Sequence, residues 1–355
     1  MALSDTGIEH KRTEDTLVAT IRTCLKDRSE LRGIFDDLSR RIPAECIAGP
    51  AFCIIRFVTS VTEGDDVEIG FPVNRIVDLG EIRTRTMPAL EVLSLVHRGP
   101  LAELGQAYRK LYGPAGELGL ISDEFAREVY LRWDDPAQAE VELQFVVHRW
   151  NDLLAANLER VLGAEARCAV MQGADGLNIE STVDERFAWA KGAMERLEGL
   201  AAPDQAYDVV SSCAHIFPRE QIDKLAAIYR GARAKHADLL AAVDAVIEFM
   251  GVDPGWKERP IREGRVIYSA KRPRNPQAHE RAQTPAEKRA AYCFCPVIRA
   301  RLDAGMPLTY CNCGAGWFRQ QWEGAIGRPV RIDIVESVLR GDDVCKFAIY
   351  LPEED

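Results

Sequence analysis

Between residues 13 and 40 the chain reads TEDTLVATIRTCLKDRSELRGIFDDLSR, and Leu17, Ile21, Leu25, Leu31, Ile34, Phe35 and Leu38 recur at near-helical spacing. Thr13, or Thr16 beside it, can cap the start. The pattern predicts an amphipathic helix or helix pair over residues 1–43. Its apolar stripe packs on its own domain or, in a homodimer, on a second copy of the chain. From Pro50 the period shortens to two: AFCIIRFVTS, DDVEIGFPV and GEIRTRTMPALEVLSLVHRG read as strands, with TEGDD as a tight turn between the first two. A helix at LAELGQAYRKLYGPAGELG follows, then FAREVYLRW and EVELQFVVHRW as a second strand pair. Hairpin-length links in this order predict an α+β domain over 44–149, a mostly antiparallel sheet with helix on one face. Beyond residue 150 the period returns to 3.6, and residues 150–355 read as a second, largely helical and cysteine-rich domain.

Composition excludes several classes. The chain has 355 residues, 47% of them hydrophobic. That suffices to bury roughly 75% of the unfolded surface, so disulfide staples are not required. The N-terminal stretch is polar and carries no apolar leader, and no run of about 18 apolar residues occurs. These features predict a cytoplasmic protein without a membrane partner, whose thiols stay reduced. A formal charge of -10 argues against direct nucleic-acid binding.

Reduced thiols give the C-terminal part its chemistry. Cys293, Cys295, Cys311 and Cys313 form two CxC pairs within twenty-one residues. On an extended strand the two thiols of a CxC stand about 7 Å apart, too far to share an ion. Bends at Pro296, Gly314 and Gly316 let all four converge on a metal at about 2.3 Å. Cys213 and His215 in SSCAHIFP, or Cys168, are candidate substitutes. A tetrathiolate on zinc is doubly negative and calls for cationic neighbours such as Lys271, Arg272 or Arg274, in a connector (267–289) that reads as a solvated loop. Zinc is the expected cofactor and an iron-sulfur cluster the alternative. Thiol chemistry at one pair, or plain buried cysteines, also satisfy the pattern. Cys24, Cys46 and Cys53 read as core.

Two resemblances add to this. DDVEIGFPV, RTMPALEVLSLVHRGPLAELGQAYRKLY and REVYLRW with EVELQFVV resemble the GyrI-like effector-binding domain, over about residues 50–148. The short link between the first two of these strands departs from fuller members, which carry a helix there. The resemblance implies a concave, aromatic-lined site with a buried glutamate facing a cationic or lipophilic molecule. Carried over by position, Glu142 takes the acid's place, with a raised pKa, and Tyr108, Tyr130 and Trp133 form the walls. His97 serves the turn. Some members of the family hydrolyse strained electrophiles instead. The C-terminal stretch, with GWFRQQWEGAIG, PVRIDIVESVL, RGDD and VCKFAIYLP, is similar to the 4-vinyl-reductase small-molecule-binding domain and to L-2-amino-thiazoline-4-carboxylic acid hydrolase-like proteins, Cys345 matching a cysteine of the pattern. The expectation is therefore a protein that binds or senses a small effector and holds a cysteine-ligated metal. The alternative is a hydrolase of a small electrophile with Glu142 as its acid/base.

Overall fold

The computed structural model describes residues 7–56, 65–118, 120–178, 180–217, 219–236, 238–253, 256 and 260–353. The chain divides into two compact units, one running to Ala115 and from Leu120 to His148, the other built mainly from Arg149 onward. The expected turn at Thr62–Gly64 lies outside the described residues.

The first unit holds β1 (Ile8–Arg12), β2 (Thr16–Leu25), α1 (Glu30–Arg41), β3 (Phe52–Arg56), β4 (Asp65–Pro72), β5 (Arg83–Met87), β6 (Glu91–Gly99), α2 (Leu104–Glu117), β7 (Leu120–Arg132) and β8 (Ala139–Arg149). The strands form one sheet in the order β1-β6-β8-β7-β3-β4-β2-β5. Residues 8–25, expected as helix, are two of its strands. In TLVATIRTCL the residues Thr16, Val18, Thr20, Ile21 and Thr23 are β-branched, which stiffens the backbone toward the extended form. Val18, Ala19 and Thr20 are buried in succession, so β2 lacks the alternation that marks a strand covered on one side only. It pairs antiparallel with β4 and with β5. The sheet therefore begins well before residue 44. A helix that the sequence pattern extended back over β2 is confined to α1, between β2 and β3.

Cross-strand partners share a face of the sheet. Cys53 stands opposite Glu128 and opposite Ile69, so Glu128, and two residues on Tyr130, face the side where α1 and α2 pack. Val18, Phe52, Ile54 and Met87 make a separate cluster on the other side, with Phe125 and Val129.

The second unit contains α3 (Trp150–Leu162), α4 (Ala164–Val170), α5 (Val183–Leu200), α6 (Pro203–Ser211), α7 (Arg219–His236), α8 (Leu239–Val252), β9 (Ile261–Glu263), β10 (Val266–Ala270), α9 (Pro276–Arg281), α10 (Pro285–Tyr292), α11 (Asn312–Ile326), β11 (Arg331–Glu336) and β12 (Lys346–Tyr350). Its sheet runs β11-β12-β10-β9, each neighbour antiparallel. The connector expected as a solvated loop instead contributes β10, α9 and α10. Thr284 and Glu287 close a capping box around Pro285 at the start of α10. Leu225, Val246, Phe318, Trp322, Ile267 and Ile349 belong to one core; Leu158, Met194, Leu197, Val210, Cys213 and Cys293 belong to a second. Gly314 and Gly316 do not bend the chain after the second CxC pair. They lie inside α11, where a Cβ on Gly316 would stand 1.8 Å from the Ser211 carbonyl oxygen, so glycine lets α11 lie against the end of α6.

Candidate effector site and thiol cluster

Among the described acids of the first unit Glu128 is buried deepest, with no exposed surface. Arg28, one residue before the N-cap of α1, places Nη1 2.6 Å from both carboxylate oxygens. The hydroxyl of Tyr130 donates to the same carboxylate at 2.6 Å and that of Tyr108, from α2, at 3.0 Å. A buried carboxylate needs such donors, because its uncompensated charge costs several kcal/mol. Burial pushes both tyrosine pKa values well up, and the adjacent Glu128 charge pushes them further. For Arg28 burial works against the charge, yet Glu128 outweighs it and holds the guanidinium firmly protonated.

Arg28 and Tyr130 also line a cavity of about 380 Å³, together with Arg32, Phe35, Trp133 and Pro136. Phe35 sets the wall by meeting Tyr130 edge-on at 5.0 Å and Trp133 at 5.1 Å between ring centroids. This volume falls in the range of small-molecule sites. Glu128 lies one hydrogen bond behind the cavity, reached through Arg28 and Tyr130.

Tyr108, Tyr130 and Trp133 thus stand around Glu128 and the cavity, and Glu142 does not. Arg127 Nε donates to Gln144 at 2.5 Å, so Glu142, two residues from Gln144 on β8, shares the face of Arg127 and not that of Glu128. There Glu142 takes Lys11 at 2.6 Å and the Ser94 hydroxyl at 2.6 Å. Burial tends to raise its pKa, but the bonds from Lys11, Ser94 and Gln144 win, and the carboxyl is held below its ordinary range. The raised pKa expected for it is therefore not found. The signal that marks Glu128 was present in REVYLRW: an acid two positions before a tyrosine on one strand face. His97 Nε2 lies 3.0 Å from the Pro100 carbonyl, in the turn before α2.

In the second unit six cysteines share one core. Cys213 and Cys293 are buried in it, and Cys295, Cys311, Cys313 and Cys345 pack against it. Ser337 Oγ donates to Cys311 Sγ at 3.6 Å, Cys295 Sγ lies 3.6 Å from the Tyr310 hydroxyl, and Cys313 Sγ donates to the Cys213 carbonyl at 3.4 Å. Burial raises every one of these thiol pKa values, and neighbouring thiols add to it at Cys213, Cys293, Cys311 and Cys313. Cys311, which feels Cys345, Cys295 and Cys313, is pushed up to about 12 and Cys313 to about 11. Lys271 opposes the rise at Cys313 and Cys345. Its ammonium lies 5.7, 5.9 and 6.0 Å from the ring centroids of Phe294, Phe318 and Phe347. His215 is exposed, its carbonyl accepting from Gln320, and Cys168 is exposed on α4. Among the described residues no three His, Cys, Asp or Glu side chains stand together in the arrangement of a metal site. Cys46 and Cys53 are buried, and Cys24, expected in the core, is exposed.

With this geometry in place, comparison with known protein families shows that residues 7–148 match the GyrI-like small molecule binding domain. The match begins well before residue 50 and takes in β1, β2 and α1. Among solved structures the chain is similar to the EcmrR C-terminal domain, at 23% identity and a TM-score of 0.36, covering 40% of this chain and 97% of that one. It is similar also to EcmrR in its complex with DNA, at 24% identity and a TM-score of 0.36, where 40% of this chain corresponds to 57% of that one. A hydrolase from Listeria innocua is 11% identical, with a TM-score of 0.30 and coverage of 40% and 91%. No curated protein matches the chain. Among the described residues no helix is long and apolar enough to cross a membrane.

Proposed function

We propose that the protein senses a small effector, an aromatic or cationic lipophilic molecule, in the cavity walled by Phe35, Tyr130 and Trp133, with Glu128 as the acid behind it. The observation that carries this is a fully buried carboxylate whose donors, Arg28 and Tyr130, are also cavity wall. Aromatic faces attract a delocalised cation, and a buried carboxylate can accept its N–H donors. The same reading keeps the protein in the cytoplasm, where its ten free thiols stay reduced, and away from direct contact with nucleic acid, given its charge of -10. Hydrolysis is the rival. It needs a carboxyl able to exchange protons with water, whereas Glu128 is already committed to three donor groups. Incubating the full chain with lipophilic cations and with strained electrophiles, and following both by mass, separates the two. Sensing predicts that bound molecules are recovered intact; turnover that disappears in Glu128→Gln would establish the hydrolase.

For the second unit we propose a soft metal held by thiolates drawn from Cys293, Cys295, Cys311 and Cys313, zinc first and an iron-sulfur cluster second, in a domain of the 4-vinyl-reductase type. Support comes from the six thiols in one core and from Lys271 beside Cys313 and Cys345, a cation suited to a site of net negative charge. The thiols would have to turn toward a common centre and release their protons. Element analysis of anaerobically purified, untagged protein tests this. About one equivalent of metal, lost in the Cys311→Ser/Cys313→Ser variant, is expected; well-folded protein without metal overturns it.

A further inference from the structure

The acid behind the cavity is already occupied. Arg28 places one guanidinium nitrogen on both oxygens of Glu128, the shortest charged contact that carboxylate makes. The two partners differ in exposure: the Glu128 side chain has none, while 32% of the Arg28 side chain is open. Arg28 is therefore the charged group that stands between Glu128 and the cavity it lines. It lies outside the regular part of α1, in a turn held by the Asp27 carboxylate on the Ser29 amide and by the bonds from Glu30 N to Asp27 O and from Leu31 N to Arg28 O. That turn can open without unwinding a strand.

We propose that Arg28 is an internal stand-in for the effector: its guanidinium fills the cationic subsite at Glu128, and an external ligand binds by displacing it. This rests on the sensing reading and names the ligand chemistry it takes. A cation that merely approaches the cavity meets a neutralised acid and the positive charges of Arg28 and Arg32, so charge alone wins nothing. A planar cation that can present two N–H donors to Glu128, an aryl amidinium or aryl guanidinium, replaces the hydrogen bonds that Arg28 gives up while stacking against Phe35, Tyr130 and Trp133. Spherical ammonium ions, which lack the fork, are disfavoured. Displacement frees the turn at Asp27–Ser29 and the first turn of α1, so occupancy of the site is converted into a change at the start of a helix.

The test uses 4-aminobenzamidine, a fluorescent aryl amidinium, and its neutral analogue 4-aminobenzamide, with the full chain. Arg28→Met keeps the apolar stem and removes the cation. It should bind the amidine at least about 10-fold more tightly than wild type, the amide unchanged, and Glu128→Gln in the same background should abolish the gain. Wild-type protein gives a second readout that needs no variant to fold: saturating amidine should speed amide hydrogen exchange over residues 28–32. Equal or weaker amidine binding by folded Arg28→Met, or slower exchange over 28–32 in the wild type, overturns the proposal while leaving a sensing role intact. If neither protein binds the amidine or any other aromatic cation, the sensing reading falls and takes this one with it.

Discussion

At the scale of single residues, what separates Glu128 from Glu142 is the parity of a strand. Both are glutamates with aliphatic neighbours on buried strands, yet one faces two tyrosines and an arginine while the other faces Lys11 and Ser94. A one-residue change of face moves a side chain to the other side of the sheet, and nothing in the local sequence states which side carries the helices. Tyr130 and Trp133, carried over by position from the family resemblance, stand in the cavity wall. Arg28 was not legible in the sequence, since its partner lies 100 positions away. The thiols give a prediction at this scale. Burial raises Cys311 to about 12 and Cys313 to about 11, whereas a free thiol titrates near ~8.5. The folded state thus keeps protons that the unfolded chain releases, and stability is fully present below the free-thiol pKa and lost as pH rises toward the folded values. Urea unfolding of metal-free, reduced protein should show stability falling between about pH 8.5 and 11, by at most about 1.4 kcal/mol per thiol per pH unit. The fall should be shallower in Cys311→Ser/Cys313→Ser; equal slopes would mean that these thiols ionise freely in the folded protein.

At the scale of elements, the sequence was most readable where one face of an element meets water. α1, which buries Leu31, Phe35 and Leu38, follows its hydrophobic pattern closely. β2 did not, because Val18, Ala19 and Thr20 are all buried and Leu17, Ile21 and Leu25 happen to fall four apart. Periodicity cannot tell such a strand from a helix, and only its β-branched content could have done so. The misreading had a consequence downstream. With β2 taken as helix, the domain appeared to start at β3. The two glycines after Cys313 illustrate the opposite error: glycine suggested a bend, but at Gly316 it serves close approach between α11 and α6.

At the scale of the whole molecule, the chain pairs a unit that matches the GyrI-like small molecule binding domain with a helical unit whose core carries six thiols. The central claim concerns the first: Glu128, and not Glu142, is the acid that an effector addresses. The most direct measurement is calorimetric titration of the full chain with 4-aminobenzamidine and its neutral analogue 4-aminobenzamide, for wild type, Glu128→Gln and Glu142→Gln. The account predicts that Glu128→Gln weakens the cation at least about 10-fold and leaves the neutral molecule within about 2-fold, while Glu142→Gln changes neither beyond about 2-fold. Loss of the cation in Glu142→Gln with Glu128→Gln unaffected would contradict it.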